Sequence, residues 1–144
     1  MSSLSFPDVN VWLALLLADH IHRERASVWW EAAHGTIAFT RFTQTSVLRL
    51  LTTASAMNGR PLSMDQAWRA HDRLFEDDRV VLLPEPEAAE NHFREQARGR
   101  SASPRFWSDA WLLAFARAAG GTLVTFDRAL AARGALCLLP GKRE

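Results

Sequence analysis

The stretch FPDVNVWLALLLA, residues 6–18, is almost wholly apolar, yet Asp8 and Asn10 stand near its start. Leu4–Phe6 lead into Pro7 and Asp8 as a short first strand, and Asn10 to Ala18 carries a helical pattern. A carboxylate at such a junction costs free energy unless something compensates it. The same grammar recurs downstream. TLVTF (122–126) is a short apolar run that meets Asp127, and a short helical pattern follows to Ala132. TIAFT (36–40) precedes a helical pattern over Phe42–Met57, and VVLL (80–83), closed by Pro84, precedes one over Pro86–Arg98.

The remaining elements fit between these. A helix is expected over Ile21–His34, with Ala26, Trp29, Trp30 and Ala33 on one face and Gly35 as its stop. Asn58-Gly59 breaks the third helix, and Ser63 is placed to cap the next, over Met64–Phe75. Ser103 is placed to cap a helix with Pro104 in its first position, running to about Ala119 and stopped by Gly120-Gly121. ALCLL (135–139) reads as a last strand. Short, continuously apolar strands alternating with helices are the pattern of a parallel sheet covered on both faces. The expected fold is therefore α/β: one domain over residues 1–144, a three-layer α/β/α sandwich with a mostly parallel central sheet. The helical hairpin over residues 42–75 is the largest departure from simple alternation.

Composition narrows the function classes. The chain has 144 residues and a net charge of +1, so its total charge gives no strong pull towards nucleic acid. Of its seventeen basic residues all but Lys142 are arginine, the side chain suited to bidentate contact with carboxylate or phosphate. A bias in coding-sequence composition would give the same excess. The single cysteine, Cys137, excludes an intramolecular disulfide and a cysteine metal cluster. No signal peptide and no membrane span are expected, which makes a soluble cytoplasmic protein the default. There is no HExxH, Walker A, GxGxxG or G-x-S-x-G pattern.

In open α/β sheets, ligands bind beyond the carboxyl ends of the strands. Asp8 and Asp127 hold equivalent positions there, and Asp109, on the second turn of the helix capped by Ser103, is the third candidate. Converging carboxylates raise each other's pKa unless a cation sits between them, and oxygen donors suit Mg²⁺ or Mn²⁺. Such an ion activates water and stabilises charge on a phosphodiester, which makes this a nuclease constellation. Taken singly, Asp8 and Asp127 read equally as helix N-caps and Asp109 as a solvated helix residue. The histidines at 20, 22, 34, 71 and 92 are scattered, and His20 and His22, two apart, fall on different faces of a helix. They read as surface groups.

Four segments in order, DVNVWLAL (8–15), TRFTQTSVLRLLT (40–52), FWSDAWLLAFA (106–116) and LVTFDRAL (123–130), carry a resemblance that covers essentially the whole chain. The sequence resembles the PIN-domain ribonucleases, and more narrowly the VapC-type toxins of type II toxin–antitoxin pairs. The resemblance implies a Mg²⁺- or Mn²⁺-dependent endoribonuclease with an acidic pocket. Its conserved carboxylates fall on Asp8, Asp109 and Asp127, as metal ligands and catalytic groups, and Asn10 matches a supporting polar position. The family's further Glu, a few residues before an Arg on the third helix, falls on Ser46, with Gln44 nearby and Arg49 as that Arg. Gln44 is a candidate to orient water or phosphate, and Arg49 and Arg41 to touch phosphate. The resemblance also implies an RNA substrate, a VapB-type antitoxin that reaches the acidic pocket and itself binds promoter DNA, and a homodimer. Trp12, Leu16, Trp29 and Trp30 are candidates for those protein interfaces, with plain core as the alternative. The basic stretch Arg94, Arg98, Arg100 and Arg105 is either an RNA guide or a solvated face. Two rivals remain: a non-catalytic RNA- or partner-binding domain, and a DNA nuclease of similar fold.

Overall fold

The computed structural model describes residues 3–141, so Lys142 lies outside it. Five strands form one parallel sheet: β1 (Leu4–Pro7), β2 (Thr36–Phe39), β3 (Val80–Leu82), β4 (Thr122–Thr125) and β5 (Leu136–Cys137). Their order across the sheet is β3-β2-β1-β4-β5, with β1 in the centre. After β1 the chain builds outward on one side through β2 and β3, then crosses to the other side for β4 and β5. The crevice where the direction reverses therefore opens beyond the ends of β1 and β4.

Helices cover both faces, as the apolar runs of the strands require. On one face, α1 (Val9–Leu16), α2 (Arg23–Ala32), α3 (Arg41–Leu51) and α4 (Met64–Leu74) bury Trp12, Val47, Leu51 and Ala67 against Ile37 and Phe39. On the other, α6 (Phe106–Ala118) buries Leu112, Leu113, Phe115 and Ala116 against Phe6, Ala38 and Leu123. The alternation of Ile37, Ala38 and Phe39 between these two cores follows from the two-residue period of a strand. The helix α5 (Ala89–Ala97) packs on α6, and the single turn α7 (Arg128–Ala131) follows β4.

Several boundaries differ from expectation for local reasons. The third helix ends at Leu51 rather than Met57, because Thr52 and Thr53 turn their hydroxyls onto the Leu48 and Arg49 carbonyls. A short 3-10 turn, Ala54–Ala56, follows. The second helix starts at Arg23, which leaves residues 17–22 as a loop. Ser103 does not cap α6: the helix starts at Phe106, Arg105 holds the cap position with no side-chain bond, and Asp109 falls in the first turn. Ser63 does cap α4, in a reciprocal capping box with Gln66.

β1 and β2 part before they end. Their pairing stops at Ser5 and Ile37, while β1 stays paired to β4 as far as Pro7 and Val124. The Asp8 N–H donates to the Val124 carbonyl on β4, so by strand alternation the preceding nitrogen faces β2. That nitrogen belongs to Pro7, which has no hydrogen to give. On the other strand the Thr40 N–H is taken by the Thr43 hydroxyl at 2.9 Å, as half of the capping box of α3. Two donors that would close the seam are thus unavailable, and the sheet splays where Asp8 emerges.

Candidate active site

Asp8 leaves the end of β1 as the N-cap of α1, with Oδ1 accepting the Val9 N–H at 2.7 Å. Its Oδ2 accepts the hydroxyl of Thr125, the last residue of β4, at 3.2 Å. The same Thr125 oxygen accepts the Asp127 N–H at 3.0 Å. Asp127 in turn caps α7, its Oδ1 taking the Ala129 N–H. One fully buried hydroxyl therefore ties together the turns that carry two carboxylates. Sequence reading passed over Thr125, since nothing distinguishes it from any strand threonine until β1 and β4 are known to be neighbours.

Two cavities open here and share a wall made of Asp8, Asn10 and Arg105. The first, about 210 Å³, lies between the start of α1, α3 and the start of α6 and also takes in Ser46, Arg49 and Asp109. The second, about 440 Å³, lies towards β4 and holds Asp127 with Thr125, His20, His22 and Phe126. Asp109 and Asp127 thus stand on either side of Asp8.

Electrostatics ties the three together. Burial raises the Asp8 pKa above its ordinary 3.8, and Asp127 adds a smaller upward push. The Val9 and Thr125 hydrogen bonds and the Arg105 charge oppose this without overcoming it. Burial also raises Asp109, and the charges of Asp8 and Asp127 push it the same way. Arg105 lowers both aspartates in part. It was legible beforehand only as one residue of a basic stretch; the structure puts it in the shared wall.

Other expectations need correction. Gln44 lines neither cavity. It is buried on the far side of α3, where Arg41 donates to its Oε1 and its amide nitrogen lies 3.2 Å from His71 Nε2 on α4. The His71 Nδ1 sits 2.8 Å from the Asp72 carboxylate. His71 is therefore buried among Gln44, Phe39 and Phe75 rather than at the surface. His20 and His22 are half-buried in the loop between α1 and α2, not on a helix. Trp12 is fully buried, stacked on Phe39 at 3.8 Å between ring centres, which removes it as an interface residue.

The donors present are oxygens from half-buried carboxylates whose ionised form is destabilised without a counter-charge, which fits a hard divalent cation. Among the described residues, no three acidic, histidine or cysteine side chains stand close enough to chelate one ion. One or two carboxylates with water completing the shell is the coordination that Mg²⁺ ordinarily accepts.

Residues 5–136 match the PIN domain family. Ribonuclease VapC41 of Mycobacterium tuberculosis is 41% identical over 135 residues, which is 90% of this chain and 92% of that protein. Among solved structures, the sarcin–ricin loop cleaving toxin VapC20 of M. tuberculosis superposes with a TM-score of 0.66 at 18% identity, over 94% of this chain and 99% of that one. VapBC2 of Rickettsia felis, bound to a DNA fragment from its promoter, gives 0.63 at 13% identity, over 93% and 96%.

Proposed function

The chain belongs to the PIN-domain family, and from that membership we propose that it is an endoribonuclease of the VapC kind, the toxin of a toxin–antitoxin pair. The observation that carries this reading is the position of Asp8, at the reversal point of the sheet, between Asp109 and Asp127. Asp8, with Asp109 on one side and Asp127 on the other, would hold Mg²⁺ or Mn²⁺ through one or two carboxylates at a time, water completing the shell. A divalent ion held there supplies an activated water and neutralises charge developing on a phosphodiester.

The chain's own groups do the rest. Thr125 fixes the Asp8 carboxylate, and through the Asp127 N–H the neighbouring turn, before substrate arrives. Asn10, exposed on the first turn of α1, supplies amide donors and an acceptor to both cavities. Arg49 and Arg105, both exposed, line the smaller cavity, and their guanidinium groups suit phosphate oxygens. Hydrolysis of an RNA phosphodiester at this point leaves a 3′-hydroxyl and a 5′-phosphate. Ser46 occupies the wall where the family's further Glu is expected, so the site carries one negative charge fewer.

The partners follow from the same membership. A VapB-type antitoxin is the natural ligand of an acidic crevice of this kind, because an arginine from its tail would neutralise the carboxylates that hold metal. The antitoxin, rather than this chain, would contact promoter DNA. A homodimer is the expected assembly. No helix of the described residues is long and apolar enough to cross a membrane.

Cleavage of total bacterial RNA by the purified chain in Mg²⁺, in Mn²⁺ and in EDTA, beside Asp8→Asn, tests the reading. Discrete bands that need metal and vanish in the variant are the expected result. The replacement of the helix Glu by Ser46 favours a second reading, a PIN domain that binds RNA or antitoxin without cutting. RNA binding that ignores EDTA and survives Asp8→Asn, with no cleavage, would establish it.

A further inference from the structure

The larger cavity holds more than the carboxylate chemistry uses. Its floor is aromatic: the Phe126 ring lies 4.5 Å from that of His22 and 6.2 Å from that of His20, with interplanar angles of 37° and 27°. The two imidazoles come from the loop between α1 and α2, and the main chain of that loop holds the His20 ring in place. The His22 backbone N–H donates to His20 Nδ1 at 3.0 Å, which leaves the His20 Nε2 as the ring's N–H donor. Between them Ile21 is 88% exposed at the cavity rim, a large apolar side chain with nothing covering it. At about 440 Å³ the space falls within the roughly 300–1,000 Å³ of small-ligand pockets. None of His20, Ile21, His22 or Phe126 has a part in holding metal or phosphate.

Unpaired RNA bases are read by stacking on aromatic and imidazole rings, with polar groups meeting their edges. The cavity offers ring faces, one oriented N–H and an apolar lip. Its position fixes which base. Asp8, Asn10 and Arg105 form the wall it shares with the smaller cavity, so a phosphate seated against that wall puts an adjoining nucleotide over Phe126. Resting on the ribonuclease reading above, we propose that the His20–His22–Phe126 cavity is a nucleobase subsite, which takes one unpaired base next to the cut phosphate. The chain would then select a flipped-out or single-stranded nucleotide rather than a paired one.

The test uses Asp109→Asn as background, because Asp109 lines only the other cavity and its loss stops cleavage during binding measurements. Two labelled probes of equal length and charge are compared, an oligoadenylate and the same phosphodiester chain without bases. The oligoadenylate should bind about tenfold more tightly, the scale of one stacked base. His22→Ala and Phe126→Leu should each abolish most of that preference and leave affinity for the abasic chain unchanged. His22→Phe, which keeps a ring and removes the imidazole, should retain it. A preference that survives both His22→Ala and Phe126→Leu overturns the subsite and leaves the ribonuclease reading standing. So does unchanged RNA binding with a loss of antitoxin affinity, which would assign the cavity to the protein partner. Failure to bind either probe, with no cleavage of RNA by the unmodified chain, removes both readings together.

Discussion

Asp8 serves as a helix cap and also carries a carboxylate that burial makes reluctant to ionise. These two roles separate under substitution. Asn caps a helix about as well as Asp, so Asp8→Asn should keep α1 intact while abolishing metal-dependent cleavage. It should also raise the melting temperature at neutral pH. The folded-state pKa of Asp8 lies above its ordinary 3.8, so the wild-type group destabilises the fold progressively as pH rises from that value through the raised one. The difference in melting temperature between the two proteins should vanish below about pH 3.8 and grow above it, which a pH series of thermal scans will measure. Mn²⁺ should stabilise the wild type and not the variant, because an ion that binds only the folded state adds stability by mass action. On the proposed reading Asp8 and Asp109 bind that ion as ionised carboxylates, so its affinity should fall as pH falls through their raised pKa values, measured by calorimetry. Ser46→Glu restores a carboxylate to the wall of the smaller cavity. It should tighten Mn²⁺ binding by about tenfold, the effect of roughly 1.4 kcal/mol, and shift the acid limb of its pH dependence upward.

At the scale of elements, two polar clusters that hold helices in place lie outside the crevice. Gln44 joins α3 to α4 through His71, and Arg41 completes the chain of bonds. Gln44→Ala leaves the buried His71 nitrogen without its partner and should cost about 1–3 kcal/mol of stability by chemical denaturation, with metal affinity unchanged. Arg79 clamps the end of α2, donating to the Trp30 and Ala33 carbonyls while its other nitrogens hold Asp77. Arg79→Lys keeps the charge and loses the fork, so it should destabilise the fold measurably. These elements show where sequence reading works. The alternation of short apolar strands with helices was legible throughout, because a sheet covered on both faces leaves no other way to distribute its apolar residues. Ser63 was legible as a cap because Gln66 stands three residues on. Ser103 looked equally suitable but α6 starts only at Phe106, a tertiary choice that local spacing does not contain. Gln44 was misread for a related reason. Phe42 and Ser46 on either side of it line the smaller cavity, but its own direction depends on where α4 docks.

Across the whole molecule, the carboxylates come from three places far apart in sequence: residue 8, residue 109 and residue 127. Convergence of all three was the expectation from the rule that ligands gather beyond the carboxyl ends of strands, and the structure instead sets Asp109 and Asp127 in separate cavities on either side of Asp8. The strand order was not inferable, and it decides that Thr125 meets Asp8 and that Arg105 and the His20–His22 loop meet the same crevice. The parting of β1 from β2 has a kinetic consequence. Pro7 and Thr40 withhold the seam's bonds by covalent structure and by a helix cap, so the gap needs no ligand to open it. A site already open has no gating step. RNA should therefore enter in a single phase, with an observed rate that rises linearly with RNA concentration and does not level off. Stopped-flow fluorescence would show this, and because the guanidinium groups at the entrance steer a polyanion, the slope of that line should fall as salt is added.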